Sequence, residues 1–468
     1  MGNTENHVQK TITAQFDKMK ISINLTTLIT TFVMALAFAS TNARNPNIVV
    51  IMTDDQGYAD ISYNPRHAKE VSTPHMDRLA KEGVFFSQAY TSGVVCSPTR
   101  AGLMLGRYQQ RVGIYTAGEG GNGFDPNMKI FPSYLPEEYS SMAIGKWHLG
   151  LDADFPELKW HAVNRGFDEA FKFMGRGAHD YFEQKGIKGD YAPIYRNKER
   201  LEGDEYEGYL TTRLSEEAVA FIDREKDNPF FLYLAYNAVH TPAQAPQEDI
   251  DFYKNKFPHL SETRATLMAM LKHLDDGVGM VVDKLKQEKL WDNTLLFFLT
   301  DNGGAAAMDA DNGHLRDFKQ SVYEGGIRTP WMISWPDRFK GGSVVDIPII
   351  SFDILPTVMD ALGESPPEAK GFDGKSILPL IEGKSKVHHD VLYWDTADPK
   401  KGWAVRKGDW KLKGNAKAIE LYDLKKDPSE ATDLAKRHPE KVKSLHALYT
   451  AWRAEMPVPN SELPKVKK

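Results

Sequence analysis

The sequence predicts an α/β fold: a large, mainly parallel central sheet sandwiched by helices, followed by a small C-terminal α+β piece with a short antiparallel sheet. Three observations lead there. Short apolar runs recur without alternation, as strands covered on both faces require. Helical segments with start and stop signals lie between them. Beyond about residue 386 the pattern changes to closely spaced short strands and turns.

The first run, NPNIVVIMTDD, is a β-branched strand that stops at Asp54 and Asp55. TPHMDRLAKEG follows as a helix, with Thr73 as its expected cap, Pro74 at the first helical position and Gly83 as the stop. SSMAIGKWH, PFFLYLAYNAVH, TLLFFLTDNGG and TPWMISWP repeat the strand grammar. Before the third of these, Leu267, Leu271, Leu274, Val278, Val281 and Leu285 fall on one helical face. SFDILPTVMDALG reads as the last helix of the large domain, and EGKSKVHHD as a polar connection. Then VLYWDT, GWAVRKGDWKLKG and IELYDLKKDPSEATDL read as antiparallel strands, and PEKVKSLHALYTAWRAEM as a closing helix. The expected division is a signal peptide over 1–43, an α/β catalytic domain over 44–385 and a C-terminal α+β subdomain over 386–468.

The signal peptide rests on Lys18 and Lys20, the apolar stretch Ile21 to Ala39 broken by Ser, Asn and Thr, and small residues suited to cleavage after Ala39 or Ala43. Met19 makes a more ordinary start than Met1. The expectation is a periplasmic or secreted protein without stable membrane insertion. A net charge of −6 and the lack of any Lys/Arg block speak against nucleic acid as a partner, so an anion must be captured locally. Cys96 is the only cysteine in 468 residues and forms no internal disulfide. It is a buried filler, an intermolecular bridge or a chemically used side chain.

Polar residues gather where the strands stop: Asp54 and Asp55, Lys146 and His148, His240, Asp301 and Asn302. In open α/β sheets ligands bind at the carboxyl ends of strands. Three carboxylates and an amide are hard oxygen ligands that select calcium or magnesium over zinc. Lys146, Lys319, His148 and His240 add cations and a proton shuttle. Cys96 lies where SPTRAGLMLGR begins a helix, with Arg100 one turn on, so an anion at residue 96 would be stabilised.

CSPTR matches the CxPxR signature of type I sulfatases of the alkaline phosphatase superfamily, and the resemblance runs from about residue 46 to the end through TDDQGYAD, GKWHLG, HTP, TDNGG, YEGGIRTP and WAVRKGDWKL. It implies that a maturation enzyme oxidises Cys96 to formylglycine. It implies one calcium ion held by Asp54, Asp55, Asp301, Asn302 and an oxygen of modified residue 96. By the same resemblance Arg100 braces the formylglycine, Lys146 and Lys319 grip the sulfate, His148 partners the formylglycine hydroxyl and His240 faces the ester oxygen. Attack by one hydroxyl of the aldehyde hydrate gives a covalent sulfoenzyme, and deprotonation of the other expels sulfate. His148 is the expected base, and His240, with Lys319, the expected acid.

Two positions depart from the family pattern: Leu105 stands where a threonine is common after CxPxR, and Asp317 and Phe318 precede Lys319 where a glycine is usual. Arg176, His179, Asp180 and Tyr181 of MGRGAHDYF are candidate sugar contacts. The expected activity is hydrolysis of sulfate esters on carbohydrates, as in oligosaccharides from a sulfated algal polysaccharide. The competing readings are a phosphonate monoester or phosphodiester hydrolase of the same superfamily and a non-catalytic sulfated-glycan binding protein.

Overall fold

The computed structural model describes residues 44–150, 157–173, 177–185, 192–364 and 371–462. The expected signal peptide, and Arg176, lie outside the described residues. Pro46–Lys468 forms one compact unit. Among the described residues no helix is long and apolar enough to cross a membrane.

The strands are β1 (Asn47–Thr53), β2 (Val84–Phe86), β3 (Ala89–Tyr90), β4 (Ser140–Lys146), β5 (Glu169–Phe173), β6 (Ile194–Arg196), β7 (Glu199–Arg200), β8 (Phe230–Ala235), β9 (Thr294–Thr300), β10 (Trp331–Ser334), β11 (Ser343–Val345), β12 (Ile349–Ile350), β13 (Val391–Asp395), β14 (Trp403–Lys407), β15 (Trp410–Gly414) and β16 (Ile419–Asp423). Ten of them form one sheet in the order β11-β2-β10-β9-β1-β8-β4-β5-β6-β7. Its centre, β9-β1-β8-β4-β5, is parallel throughout. Along β1, Val49 and Ile51 enter one core cluster while Ile48, Val50 and Met52 enter another, so both faces are covered. This is why the run shows no alternation. Each such fully buried aliphatic side chain contributes about 1.5–3 kcal/mol.

TPWMISWP forms β10, but it runs antiparallel to both neighbours, β9 and β2. An apolar run carries no information about direction. The helix Pro74–Glu82 ends at Gly83 as expected, yet Thr73 makes no side-chain cap. Its hydroxyl bonds Ser62 N and Asp77 instead. The carboxylate of Asp275, on the long helix Glu262–Gln287, accepts the N–H groups of His75 and Met76 in its place. The six apolar positions singled out on that long helix are all buried.

The C-terminal strands form a separate four-stranded antiparallel meander, β13-β14-β15-β16, on which the helix Pro439–Ala454 packs. The subdomain shares core with the larger one, since Trp394, Ala404 and Trp452 cluster with Tyr90, Val94, Val95 and Phe352. A fully buried ion triad spans the same seam. Lys411 Nζ lies 2.9 Å from Glu324 Oε1 and 3.0 Å from Glu430 Oε1.

Candidate active site

Register at the centre of the sheet decides where the polar residues emerge. Thr53 of β1 pairs with Thr300 of β9, so Asp54 and Asp301 leave the sheet side by side. Met52 of β1 and Gly145 of β4 both pair with Ala235 of β8, which brings Lys146 and the segment up to His240 to the same edge. The helix Cys96–Leu105 begins at residue 96, directly over these strand ends.

Arg100 is completely buried and organises the floor. Its guanidinium donates to Asp301 Oδ2 at 2.8 and 3.0 Å, to Asp54 Oδ2 at 3.2 Å and to the carbonyl of Lys146 at 2.8 Å. Lys146 Nζ pairs with Asp54. Lys319 Nζ lies 2.6 Å from Asp55 Oδ1, and His240 Nε2 lies 3.6 Å from Asp55 Oδ2. Cys96 Sγ sits 3.3 Å from His148 Nδ1. All ten sequence-predicted site residues therefore meet in one place.

Three oxygens there are left over. Asp54 Oδ1, Asp301 Oδ1 and Asn302 Oδ1 are buried and accept no hydrogen bond. Asn302 spends its Nδ2 on Asp55 Oδ1 at 2.7 Å, which turns its oxygen the other way. Buried polar atoms are normally paired, so three orphans at adjoining strand ends need a donor or a cation. A hard divalent ion with oxygen ligands fits this donor set. Ligand atoms of Asp54, Cys96 and Asp301 lie within 4.8 Å of one another, and so do those of Asp54, Asp55 and His240.

The local field follows from burial and the cations. Burial opposes charge on Asp55, but Lys319, His240 and Lys146 outweigh it and hold the carboxyl well below the usual range. Burial raises Asp54, reinforced by Asp301 and opposed by Lys146. His148 is driven well below the ordinary imidazole value by burial, then by Lys146 and Arg100, so its ring is neutral. His240 falls to about 3, first through burial and then through Lys146 and Lys319, with Asp55 opposing. The Nδ1 of His240 faces the carbonyl of Thr241 at 2.8 Å, which leaves Nε2 toward the site.

The backbone is held in uncommon states at this edge. Asp55 (φ 59°) and His148 (φ 53°) occupy the left-handed region, as do Asp317 (φ 68°) and Gln320 (φ 75°) around Lys319. Non-glycine residues adopt it at a cost of about 1–2 kcal/mol, and such strain collects at functional sites.

The candidate sugar contacts resolve differently. His179 is buried with both ring nitrogens on backbone carbonyls, Asp180 O at 2.6 Å and Ala192 O at 2.8 Å. Tyr181 is buried too, and its hydroxyl donates to the carbonyls of Asn237 and His240. Asp180 accepts from Phe182 N, Glu183 N and Gln244 Nε2. These residues build the rim, and their polar atoms are spent within it.

Several neighbours carried no sequence signal as site residues. Ser97 Oγ donates to the carbonyl of His148 at 2.6 Å. Gly177 abuts the His148 ring, and Gly121 faces it at ordinary contact distance. A pocket of about 420 Å³ beside His148 is walled by Thr116, Glu119, Asn122 and Ser461. A glycine-rich stretch, AGEGGNG, marks part of that wall, whereas Ser461 is brought in only by tertiary folding.

Comparison with known proteins places this geometry. The family model described as Sulfatase matches residues 46–364, and the one described as N-sulphoglucosamine sulphohydrolase, C-terminal, matches residues 314–452. The uncharacterized sulfatase YdeN of Escherichia coli is 30% identical over 401 residues, spanning 75% of this chain and 69% of that protein. N-acetylgalactosamine-6-sulfatase of Homo sapiens is 31% identical over 385 residues, spanning 76% and 69%. The solved structure of Ps i-CgsB in complex with k-i-k-neocarrahexaose superposes with a TM-score of 0.81 at 33% identity, covering 89% of this chain and 94% of that one.

Proposed function

The chain belongs to the sulfatase family and is a sulfatase, and on that premise we propose that it removes sulfate from sulfated oligosaccharides with a calcium ion and a formylglycine made from Cys96. The observation that carries the reading is the set of three orphaned buried oxygens, on Asp54, Asp301 and Asn302, beside residue 96 and ringed by Arg100, Lys146 and Lys319. An acidic floor alone would repel a sulfate ester. An acidic floor holding a divalent cation, with Arg100 within it and Lys146 and Lys319 beside it, attracts one.

Asp54, Asp55, Asp301 and Asn302 would hold the calcium, with an oxygen of modified residue 96 completing the set. The ion would supply positive charge for the ester oxygens, and the modified residue would supply a hydroxyl nucleophile. Lys146 and Lys319, drawn from their carboxylate partners, bind the sulfate oxygens. Arg100 holds the acidic floor and the start of the helix in place. His148, neutral and with Nδ1 on residue 96, takes a proton from the hydroxyl there. His240 presents Nε2 to the leaving alcohol, and an anionic ester beside it favours its protonated form.

The carbohydrate class is supported by the hexasaccharide complex of the 33% identical Ps i-CgsB and by the name of the N-acetylgalactosamine-6-sulfatase relatives. Export to the periplasm or medium is supported by the signal-peptide pattern of residues 1–43. Maturation by a formylglycine-generating enzyme is supported by CSPTR.

The test is sulfate release from a panel of defined sulfated oligosaccharides by calcium-loaded protein, with peptide mass spectrometry across residue 96. Turnover with an aldehyde at residue 96, abolished in Cys96→Ala, is the expected result. Turnover by Cys96→Ala, or an alkylatable thiol in fully active enzyme, would overturn the mechanism.

A further inference from the structure

Thr116–Gly118, the cap and start of the short helix Ala117–Gly121, borders two pockets. One is the pocket of about 420 Å³ beside His148. The other, of about 270 Å³, is lined by Val94 and Val95, directly before residue 96, by Gln320, directly after Lys319, and by Thr396, Asp398 and Lys401. The last three belong to the loop that joins β13 to β14, so the C-terminal subdomain forms one wall.

Lys401 is the basic residue of this second pocket. Its Nζ donates to Gln320 Oε1 at 2.8 Å, a neutral acceptor, and no carboxylate pairs with it among the described residues. Asp398, in the same wall, turns Oδ1 to the backbone N–H of Lys400 at 2.8 Å. Gln320 is itself fixed, with a left-handed φ of 75° and its N–H on the carbonyl of Val94 at 2.8 Å. An exposed ammonium is thus tied to the residue directly after Lys319, with the Asp398 carboxylate in the same wall held on the backbone N–H of Lys400, in a chain whose net charge of −6 otherwise discourages anions.

We propose that this second pocket is a subsite for an anionic substituent, sulfate or carboxylate, on the sugar next to the one that loses its sulfate, and that Lys401 reads that charge. The inference rests on the sulfated-carbohydrate reading above. Gln320 acts as a positioning residue, because its side-chain oxygen accepts from the Lys401 ammonium and ties it to the chain directly after Lys319. A charge-assisted hydrogen bond at a partly open site is worth about tenfold in affinity. The enzyme then prefers sulfated sugars inside a charged chain over isolated ones.

The experiment uses the matured, calcium-loaded full chain and a sulfated sugar that it turns over. That sugar is supplied linked to a sulfated neighbour, to a uronic acid neighbour and to a neutral neighbour. Wild type is expected to show kcat/KM about tenfold higher for the anionic neighbours, carried by KM. In Lys401→Met that ratio collapses toward one, and in Lys401→Arg it is retained. The sulfate and uronate arms show which anion the pocket takes. A ratio that persists in Lys401→Met, or a wild type indifferent to its neighbour, overturns the subsite while leaving the sulfatase reading intact. If wild type releases sulfate from no carbohydrate, the proposed substrate class fails and the subsite falls with it.

Discussion

A methyl group at Gly177 tests whether the position of His148 matters. Gly177 has φ 100°, and a Cβ built on it would lie 2.8 Å from His148 Cε1 and 3.3 Å from Nε2. Carbon atoms rest at about 3.5–4.0 Å, so the ring or the rim must yield by about 1 Å. The ring has little room to retreat. Its own backbone is strained at φ 53°, its carbonyl is held by Ser97 Oγ at 2.6 Å and its Nδ1 faces Cys96 Sγ at 3.3 Å. A displacement of that size at a proton-transfer group costs up to about 100-fold in rate. Gly177→Ala is therefore expected to lower kcat by about 10- to 100-fold, with about 1–2 kcal/mol of destabilisation from the left-handed backbone. Gly121→Ala is the matched control, because its Cβ would lie 3.6 Å from His148 Nε2, an ordinary contact. Steady-state kinetics on one sulfate ester, with thermal denaturation of both variants, gives the comparison. Folded Gly177→Ala with kcat within twofold of wild type would refute the claim that His148 is held by this contact.

Chelation should abolish activity and lower the melting temperature, both restored by added calcium. Saturation at 100 times Kd corresponds to about 2.7 kcal/mol of stabilisation. Asp301→Asn should lose the calcium-induced shift in differential scanning fluorimetry; a shift equal to that of wild type would remove Asp301 from the ligand set. His240→Ala should slow release from sugar sulfates far more than from aryl sulfates, whose leaving groups need no proton. Equal losses on both would exclude His240 as the acid. Burial raises Glu430 to about 7, with Lys411 opposing and Glu324 reinforcing. Because the folded value lies above the unfolded one, its contribution is complete below about pH 4.5 and is lost as pH rises through about 7. Wild type should lose on the order of 3 kcal/mol across that window, and Glu430→Gln should flatten the slope in denaturant melts taken from pH 5 to 8.

The site residues legible from the strand pattern share one property, that each lies at or just beyond the end of an apolar run, whereas Cys96, Arg100 and Lys319 were legible only through a helix start and the CSPTR and family motifs. Asp54, Lys146, His240 and Asp301 could be assigned to a common edge because a parallel sheet aligns strand ends, and Thr53 opposite Thr300 is that alignment. Periodicity carries no direction, which is why the antiparallel course of β10 was not legible. A cap signal names a residue suited to capping and not its competitor, so Thr73 was displaced by Asp275, about 200 positions away in the chain. Polarity likewise marks His179 and Tyr181 as available when folding has already paired them with carbonyls.

Lys401 and Ser461 show the deeper limit. Each lies in a stretch whose local signals concern only a turn or a chain end, and each reaches its pocket because the C-terminal subdomain shares core with the larger domain. Trp394 packs on Tyr90 at 5.4 Å between ring centroids, and Lys411 is buried between Glu324 and Glu430. Removing one partner of such a buried ion cluster costs about 3–5 kcal/mol. The seam is thus too costly to open as a hinge, and the walls it carries behave as fixed parts of the cleft. Chemistry written at strand ends is readable from local sequence, but substrate choice is written on a surface that exists only after two distant segments have packed.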